Sequence, residues 1–386
     1  MAVQLLITDK NLAVQGDPLD GWTSLDCTRR FNEPGSGSVE LPARPDVMAQ
    51  LQPGARLVII RDGAVWMAGP LEIPTDFSWS VTEDPGWGRV TVTFTDDLAT
   101  VAGYITWPTP ADAWTAQPAN TYRQLAATNA ETVIRTLVGE NCGAGARPER
   151  RIPRLTLDTA AGVGTSTTLK TRFEPLLDVC RRIALDGGKI GFRTGQAAGQ
   201  ILFGCYAPRD LTATARFSIG IGNLRSIQFK RSAPTVTHAL IAGTEPDIGT
   251  TGRTYVQVAD PAAAASWWRV ERYVDGSAQT DTDGELTQAG NGEIAGGAAP
   301  VELATVTVDT PDLKAGREFD LGDRVTVALP FGVEVADLVR SIHLQATPDA
   351  GEVVTTLVGS PEATTDPATV KTLRTLARRL GRLETR

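Results

Sequence analysis

Apolar and polar positions along the chain follow two different periods. Through roughly the first hundred residues they alternate with a period of two, the pattern of strands with one buried face. Arg89-Val-Thr-Val-Thr-Phe-Thr95 is a clear case. Arg56-Leu-Val-Ile-Ile-Arg61 and Ala64-Val-Trp-Met-Ala68 flank Asp62-Gly63. That dipeptide tolerates the two φ > 0 positions of a type I′ turn, so the pattern predicts a tight hairpin. An all-β first domain is expected over residues 1–104.

The period changes after a Pro- and Trp-rich linker from Trp107 to Pro118. Ala130, Val133, Ile134, Leu137 and Val138 share one helical face, and Gly139 is the expected stop. Phe173, Leu176, Leu177, Cys180, Ile183 and Ala184 repeat the pattern before Gly187-Gly188, and strands are expected at Lys189–Arg193 and Gln200–Phe203. Residues 105–215 therefore read as an α+β accessory domain. From Leu224 the strand period returns, giving a second β domain over 216–363 with an inserted excursion at about 246–300. Within that excursion Asp281 to Ala299 is rich in Gly, Asp and Ala, and an exposed loop is expected there.

Residues 364–386 change character again. Asp366-Pro367 is a good N-cap and first-turn pair, after which Val370, Leu373, Leu376, Leu380 and Leu383 recur at three- and four-residue steps. Arg374 and Arg378 are among the six basic residues flanking this stripe. Such a basic amphipathic helix buries its stripe only against another surface, whether its own chain, a second copy or a partner. It is a candidate oligomer- or partner-docking element.

Composition narrows the classes. With 386 residues, 41% hydrophobic and 21% charged, the chain suits two to four globular domains, and no apolar run approaches the ~18 residues of a membrane span. The N-terminus lacks a basic region followed by an apolar core, so synthesis and retention in a cytoplasm are expected. A net charge of −8 argues against a broad nucleic-acid grip. Since the tail from Asp366 carries +4, the preceding body carries −12. Cys27, Cys142, Cys180 and Cys205 form no CxxC pair, so buried free thiols are expected instead of a metal or redox site.

Candidate chemistry is sparse. Gly164-Thr-Ser-Thr-Thr-Leu-Lys-Thr171 imitates a phosphate-binding loop, but Leu169 stands where that motif requires glycine before the lysine. A strand–loop–helix connection fits better. Asp281-Thr-Asp-Gly-Glu285 suggests a calcium loop, yet its anchoring positions are Gln279 and Gly290, so an exposed acidic turn is the plainer reading. His238 and His343 sit alone within predicted strands, and Asp96-Asp97 reads as a turn or helix start. Trp66, Trp267 and Trp268 could stack on sugars, although core or interface filling is the plainer reading. No catalytic residue, cofactor site or metal site is assigned.

Several blocks in combination carry a resemblance. Leu25-Asp-Cys-Thr-Arg-Arg-Phe-Asn32, Gly37-Ser-Val-Glu-Leu-Pro42, Leu51-Gln-Pro-Gly-Ala-Arg-Leu-Val-Ile-Ile-Arg-Asp-Gly63 and Ala68-Gly69 open the series. Ala130–Arg135, Arg151–Leu155, Leu176–Ala184, Asn223–Phe229 and Phe319–Val325 continue it in the same order. Together they resemble the minor tail, or tail-hub, proteins of long-tailed actinobacterial phages. The resemblance implies a mainly β fold of two tube-like β-barrel domains with an accessory α+β domain. It implies a homotrimer closing a pseudo-hexameric ring at the tail tip, with no enzyme of its own and no cofactor. Its implied partners are the distal tail protein or tail-tube ring, the tape-measure protein and downstream tip or fibre proteins, with phage DNA in transit. The location implied is the virion tail tip, assembled in the host cytoplasm. A carbohydrate-binding or cell-wall glycan-degrading tip protein is the alternative, and paired carboxylates across an aromatic cleft would favour it.

Overall fold

The computed structural model describes residues 3–80, 86–118, 120–231, 233–244, 252–276, 284–298, 301–349 and 351–359. The tail residues Val370, Leu373, Arg374, Leu376, Arg378, Leu380 and Leu383 and the acidic Asp281 and Asp283 lie outside this set. Six strands open the chain: β1 (Gln4–Thr8), β2 (Ser24–Arg30), β3 (Glu33–Pro42), β4 (Arg56–Arg61), β5 (Ala64–Ser78) and β6 (Arg89–Thr95), with helix α1 (Pro45–Gln50) after β3. On β6 the side chains of Val90, Val92 and Phe94 are buried while Thr91 and Thr93 are not, as the period of two requires. The β4–β5 turn has Asp62 at φ 53° and Gly63 at φ 79°, the two positive φ angles of the predicted I′ turn.

An α+β unit follows. It contains α2 (Leu98–Ala102), β7 (Arg123–Asn129), α3 (Ala130–Asn141), β8 (Leu155–Leu157), β9 (Ser166–Thr171), α4 (Leu176–Asp186), β10 (Gly191–Ala197) and β11 (Gln200–Tyr206). Its apolar core gathers Val133, Ile134, Leu137, Val179, Ile183, Phe192 and Phe203 among others. The Asn129 side chain caps α3 by accepting from the backbone N–H groups of Glu131 and Thr132. The helix passes through Gly139, the expected stop, and ends at Asn141, because Leu137 and Val138 continue a buried face that outweighs one glycine.

The remaining strands are β12 (Arg216–Phe217), β13 (Leu224–Arg231), β14 (His238–Ala242), β15 (Tyr255–Ala259), β16 (Glu271–Asp275), β17 (Val301–Val308), β18 (Arg324–Ala328), β19 (Glu334–Thr347) and β20 (Gly351–Val358), with helices α5 (Pro261–Ser266) and α6 (Glu285–Gly297). Helix α6 corrects the expectation of an exposed loop. It packs on the separate sheet β15-β14-β16, burying Leu286 beside Val236, Ala239 and Ile241. Its small residues make this possible. A Cβ on Gly290 would stand 2.6 Å from the Ile241 methyl and closer still to Val258, and one on Gly297 would stand 2.7 Å from Val236. A Gly- and Ala-rich stretch that reads as weak core is thus a helix built for close approach to a sheet.

The first and last groups of strands form one mainly antiparallel sheet of 12 strands. They join where β2 pairs antiparallel with β19, Leu25 opposite Ala346 through Arg30 opposite Ser341. A common apolar core runs beneath both, from Leu5, Val39 and Phe94 to Phe217, Ile342 and Val358. Among the described strands the sheet stays open, with β1, β12 and β13 at its ends. No helix among the described residues is long and apolar enough to cross a membrane.

The two groups repeat one strand order. In the first it is β1-β4-β5-β6-β3-β2, and in the second β12-β18-β19-β20-β17-β13. Numbering the strands of each group one to six in chain order, both read 1-4-5-6-3-2. In each, the fifth strand is long, of 15 and 14 residues, and changes register between its fourth-strand and sixth-strand partners. Only the first strand differs in direction: β1 is antiparallel to β4, whereas β12 is parallel to β18. The sheet of α6 is inserted between the second and third strands of the second group, where the first group has a short turn at Phe31 and Asn32.

Candidate functional site

A cavity of about 880 Å³ opens where both strand groups meet the α+β unit. Strand geometry puts Arg29 at the end of β2, Arg61 at the end of β4 and Trp66 on β5 into this space. Both guanidiniums lie over the Trp66 ring, at 4.6 and 4.8 Å from its centroid. Gly316, at φ 82°, sits against the ring edge, where a Cβ would come within 2.6 Å of the indole.

Each arginine reaches across the molecule. Arg61 donates two hydrogen bonds to Glu352, at 3.1 and 3.0 Å, and a third to the carbonyl of Ala315 at 3.2 Å. Arg29 pairs with Asp320 at 3.2 Å, and Arg193 of β10 pairs with the same carboxylate at 3.0 Å. Asp320 thereby ties three units together: burial pushes its carboxyl up, but Arg29 and Arg193 outweigh that and hold it below the ordinary range. Asn32, in the β2–β3 turn, donates to the carbonyl of Ile190 at 3.0 Å and accepts from the Phe192 N–H at 2.7 Å. Tyr206 donates to the Leu321 carbonyl at 3.0 Å, and Arg209 holds Asp323 through two nitrogens.

The adjacent carboxylates Asp96 and Asp97 stand at the start of α2, as expected of a helix entry. Asp97 pairs with buried Arg56 and accepts from Gln196 at 2.9 Å. Asp96 accepts from the N–H groups of Gly35 and Leu98, and burial still pushes it up to about 6. Burial likewise raises Asp309, beside Arg61, to about 6. The arrangement converts burial into fixed geometry: charges are matched across units by guanidiniums, so the three units are held at set angles.

The sequence-level candidates are dispersed. Lys170 lies in strand β9, so the stretch resembling a phosphate loop is an extended strand leading to α4. His343 pairs with Asp26 at 2.7 Å, which bridges the two strand groups, while His238 is on the separate sheet with α6. Trp267 and Trp268 contact each other edge to face at 5.7 Å, remote from Trp66. All four cysteines are free and buried, as expected, and burial raises the Cys27, Cys142 and Cys205 thiols to about 12. Among the described residues no group of three His, Cys, Asp or Glu is placed to hold a metal ion. Sequence reasoning missed the arginine junction. Arg29 and Asp320 are 291 positions apart, and no local pattern links them.

This fold is shared with proteins of phage tails. The 43 kDa tail protein of prophage MuSo2 from Shewanella oneidensis is 14% identical with a TM-score of 0.59, the match covering 93% of this chain and 99% of that one. The tail protein from Neisseria meningitidis MC58 is 12% identical with a TM-score of 0.58, over 94% of this chain and 97% of that one. Prophage tail protein gp18 from Listeria monocytogenes EGD-e is 9% identical with a TM-score of 0.53, over 98% and 99%. No curated protein sequence matches the chain. The chain therefore has the fold of these phage tail proteins. It belongs to the family described as Siphovirus ReqiPepy6 Gp37-like protein, whose model matches residues 4–360.

Proposed function

We propose that this chain is the hub of a long-tailed phage's tail tip, three copies closing a ring around a channel. The observation that carries the reading is the repeated strand order 1-4-5-6-3-2. A chain holding two copies of one unit supplies six similar units from three subunits, which is what a threefold ring needs to sit on a sixfold tube. The units at 1–104 and 216–363 then act as the two tube domains and close their barrel between subunits, with 105–215 outside. The arginine junction around Trp66 fixes the angle of each unit to the next.

In this role the ring caps or extends the tail tube, meets the distal tail protein and the tape-measure protein on one face, and carries downstream tip or fibre proteins on the other. Phage DNA passes through it without being gripped, consistent with a body of net charge −12. The basic helix at 364–386 packs about the threefold axis or docks the next tip protein through Val370, Leu373, Leu376, Leu380 and Leu383.

Electron microscopy of intact tails, with this protein labelled, tests the reading together with the native mass of the purified chain. A threefold ring of six similar units is expected. A single asymmetric copy per tail, or a sixfold ring of six chains, would refute it. Truncation after Thr365 tests the helix: complete tips and normal trimers without it would reject a docking role. The glycan-binding alternative has less support, because Arg29 and Arg61 already cover the Trp66 ring on which a sugar would stack.

A further inference from the structure

The strand repeat has an unequal feature. The fifth strand of the second group, β19, pairs with β20 along Val339–Thr347 and, over Ser341–Ala346, with β2 on its remaining edge. The fifth strand of the first group, β5, pairs with β6 over Leu71–Ser78, and beyond Leu71, whose N–H donates to the Ala55 carbonyl, no strand among the described residues pairs with its other edge. Conversely β2, a second strand, has partners on both sides, whereas its equivalent β13 pairs, among the described residues, only with β17. One junction of the repeat is made inside the chain, and the two halves of the equivalent junction are left open at opposite ends of the sheet.

Burial shows the same asymmetry. Ile342 and Leu344, on the covered segment of β19, are fully buried at 0% exposure. Phe77, opposite the buried Val90 on the open segment of β5, is 54% exposed, and Trp79 just beyond is 54% exposed. Ile227 and Phe229 on β13 are only partly buried against the common core, whereas Leu25 and Cys27 on β2 are fully buried. An unpaired strand edge is a template for another strand, and Glu72, Pro74 and Asp76 on this one restrict which strand it accepts.

Charge selects which strand. The β13 run Leu224–Phe229 holds Arg225 with no acid, and the β5 run Leu71–Ser78 holds Glu72 and Asp76 with no base. Each is repelled by a second copy of itself and attracted to the other. The contact is thus head-to-tail, the kind that closes a ring when the rotation allows.

We propose that β13 of one copy adds antiparallel to the Leu71–Ser78 segment of β5 in the next copy, repeating between subunits the junction that β2 makes with β19 inside each chain. The proposal rests on the hub reading and deepens it by naming the subunit interface. With three copies the ring alternates three internal junctions and three of these. The exposed apolar residue Phe77 becomes covered, and the open sheet becomes continuous.

Cysteine cross-linking in assembled tails tests it. Ile73 and Asp76 lie opposite Thr93 and Thr91, on the face of β5 turned from the core, and Ser226 and Gln228 lie on the corresponding outer face of β13. Neighbouring strands bring Cα atoms to about 4.5–5.5 Å, within reach of a disulfide. The full-length chain is made with each combination of Ile73→Cys or Asp76→Cys with Ser226→Cys or Gln228→Cys, and tails are oxidised and run without reductant. At least one combination is expected to give a covalent trimer that reductant returns to monomer. The wild type, with its thiols buried, is expected to give none. In mixed tails holding Ile73→Cys or Asp76→Cys in one copy and Gln228→Cys in another, a covalent dimer is the corresponding result. Tails whose threefold ring is seen by microscopy but in which no combination cross-links overturn the strand addition and leave the hub reading intact. Tails with no threefold ring overturn both.

Discussion

The buried pair Arg56–Asp97 offers a sharp test of how the first strand group is held to the α+β unit. Arg56 is 5% exposed and Asp97 2% exposed, so neither charge is rescued by water. Asp97 has two partners, Arg56 on β4 and Gln196 on β10, and burial raises its carboxyl above the ordinary range despite both. Asp97→Ala leaves a buried guanidinium with no counter-charge, and Arg56→Met leaves a buried carboxylate with only an amide. Each is expected to cost about 3–5 kcal/mol, the usual penalty for breaking a buried pair from one side. The double variant Arg56→Met/Asp97→Leu removes both charges and fills the space with apolar atoms. It is expected to lie within about 1 kcal/mol of the wild type or above it. Urea unfolding at pH 7, followed by tryptophan fluorescence, measures all four proteins, and an unchanged slope with denaturant shows that the same surface is exposed in each. The cycle should therefore return a coupling of several kcal/mol. If each single change costs under about 1 kcal/mol, or the double costs their sum, the pair is not a unit and the reasoning fails.

Asp96 is held near pKa 6 by burial, above its ordinary 3.8, so between about pH 4 and 6 the folded chain binds a proton that the unfolded chain does not. The contribution of Asp96 to stability falls as pH rises through that window; Asp96→Asn lacks it, and the gap between variant and wild type should change by on the order of 2–3 kcal/mol from pH 4 to 7. A gap that is independent of pH would contradict the assignment. Gly290→Val should lift α6 from Ile241 and Val258, exposing amides of His238–Ala242 to hydrogen exchange while the exchange of β6 is unchanged. All four thiols should resist an exposed-thiol reagent in the native protein and react after denaturation; a fast native reaction at any of them would show an opening the structure lacks.

Local elements were largely legible in the chain. The Asp62-Gly63 hairpin, the Val90-Val92-Phe94 face of β6 and the apolar faces of α3 and α4 follow from spacing of two or of three to four residues, which is a property of neighbours in sequence. The buried thiols followed from the absence of any paired spacing, and the resemblance of scattered blocks pointed to a tail protein before the strands could be ordered. Helix α6 was misread because glycine and alanine weaken an isolated helix, and only contact with Ile241, Val258 and Val236 shows why their small size is required there.

What only the tertiary structure decided is who pairs with whom. That Leu25 meets Ala346, and that Arg29 meets Asp320, depends on burial shared across the whole molecule, for which no window of neighbouring residues carries a signal. The repeated order 1-4-5-6-3-2 is invisible for the same reason: equivalent strands such as β2 and β13 keep a place in a sheet without keeping side chains. Sequence alone determined the kinds of element and the family resemblance. The sheet determined that two groups of strands repeat one order and that, among the described residues, edges of β5 and β13 stay open.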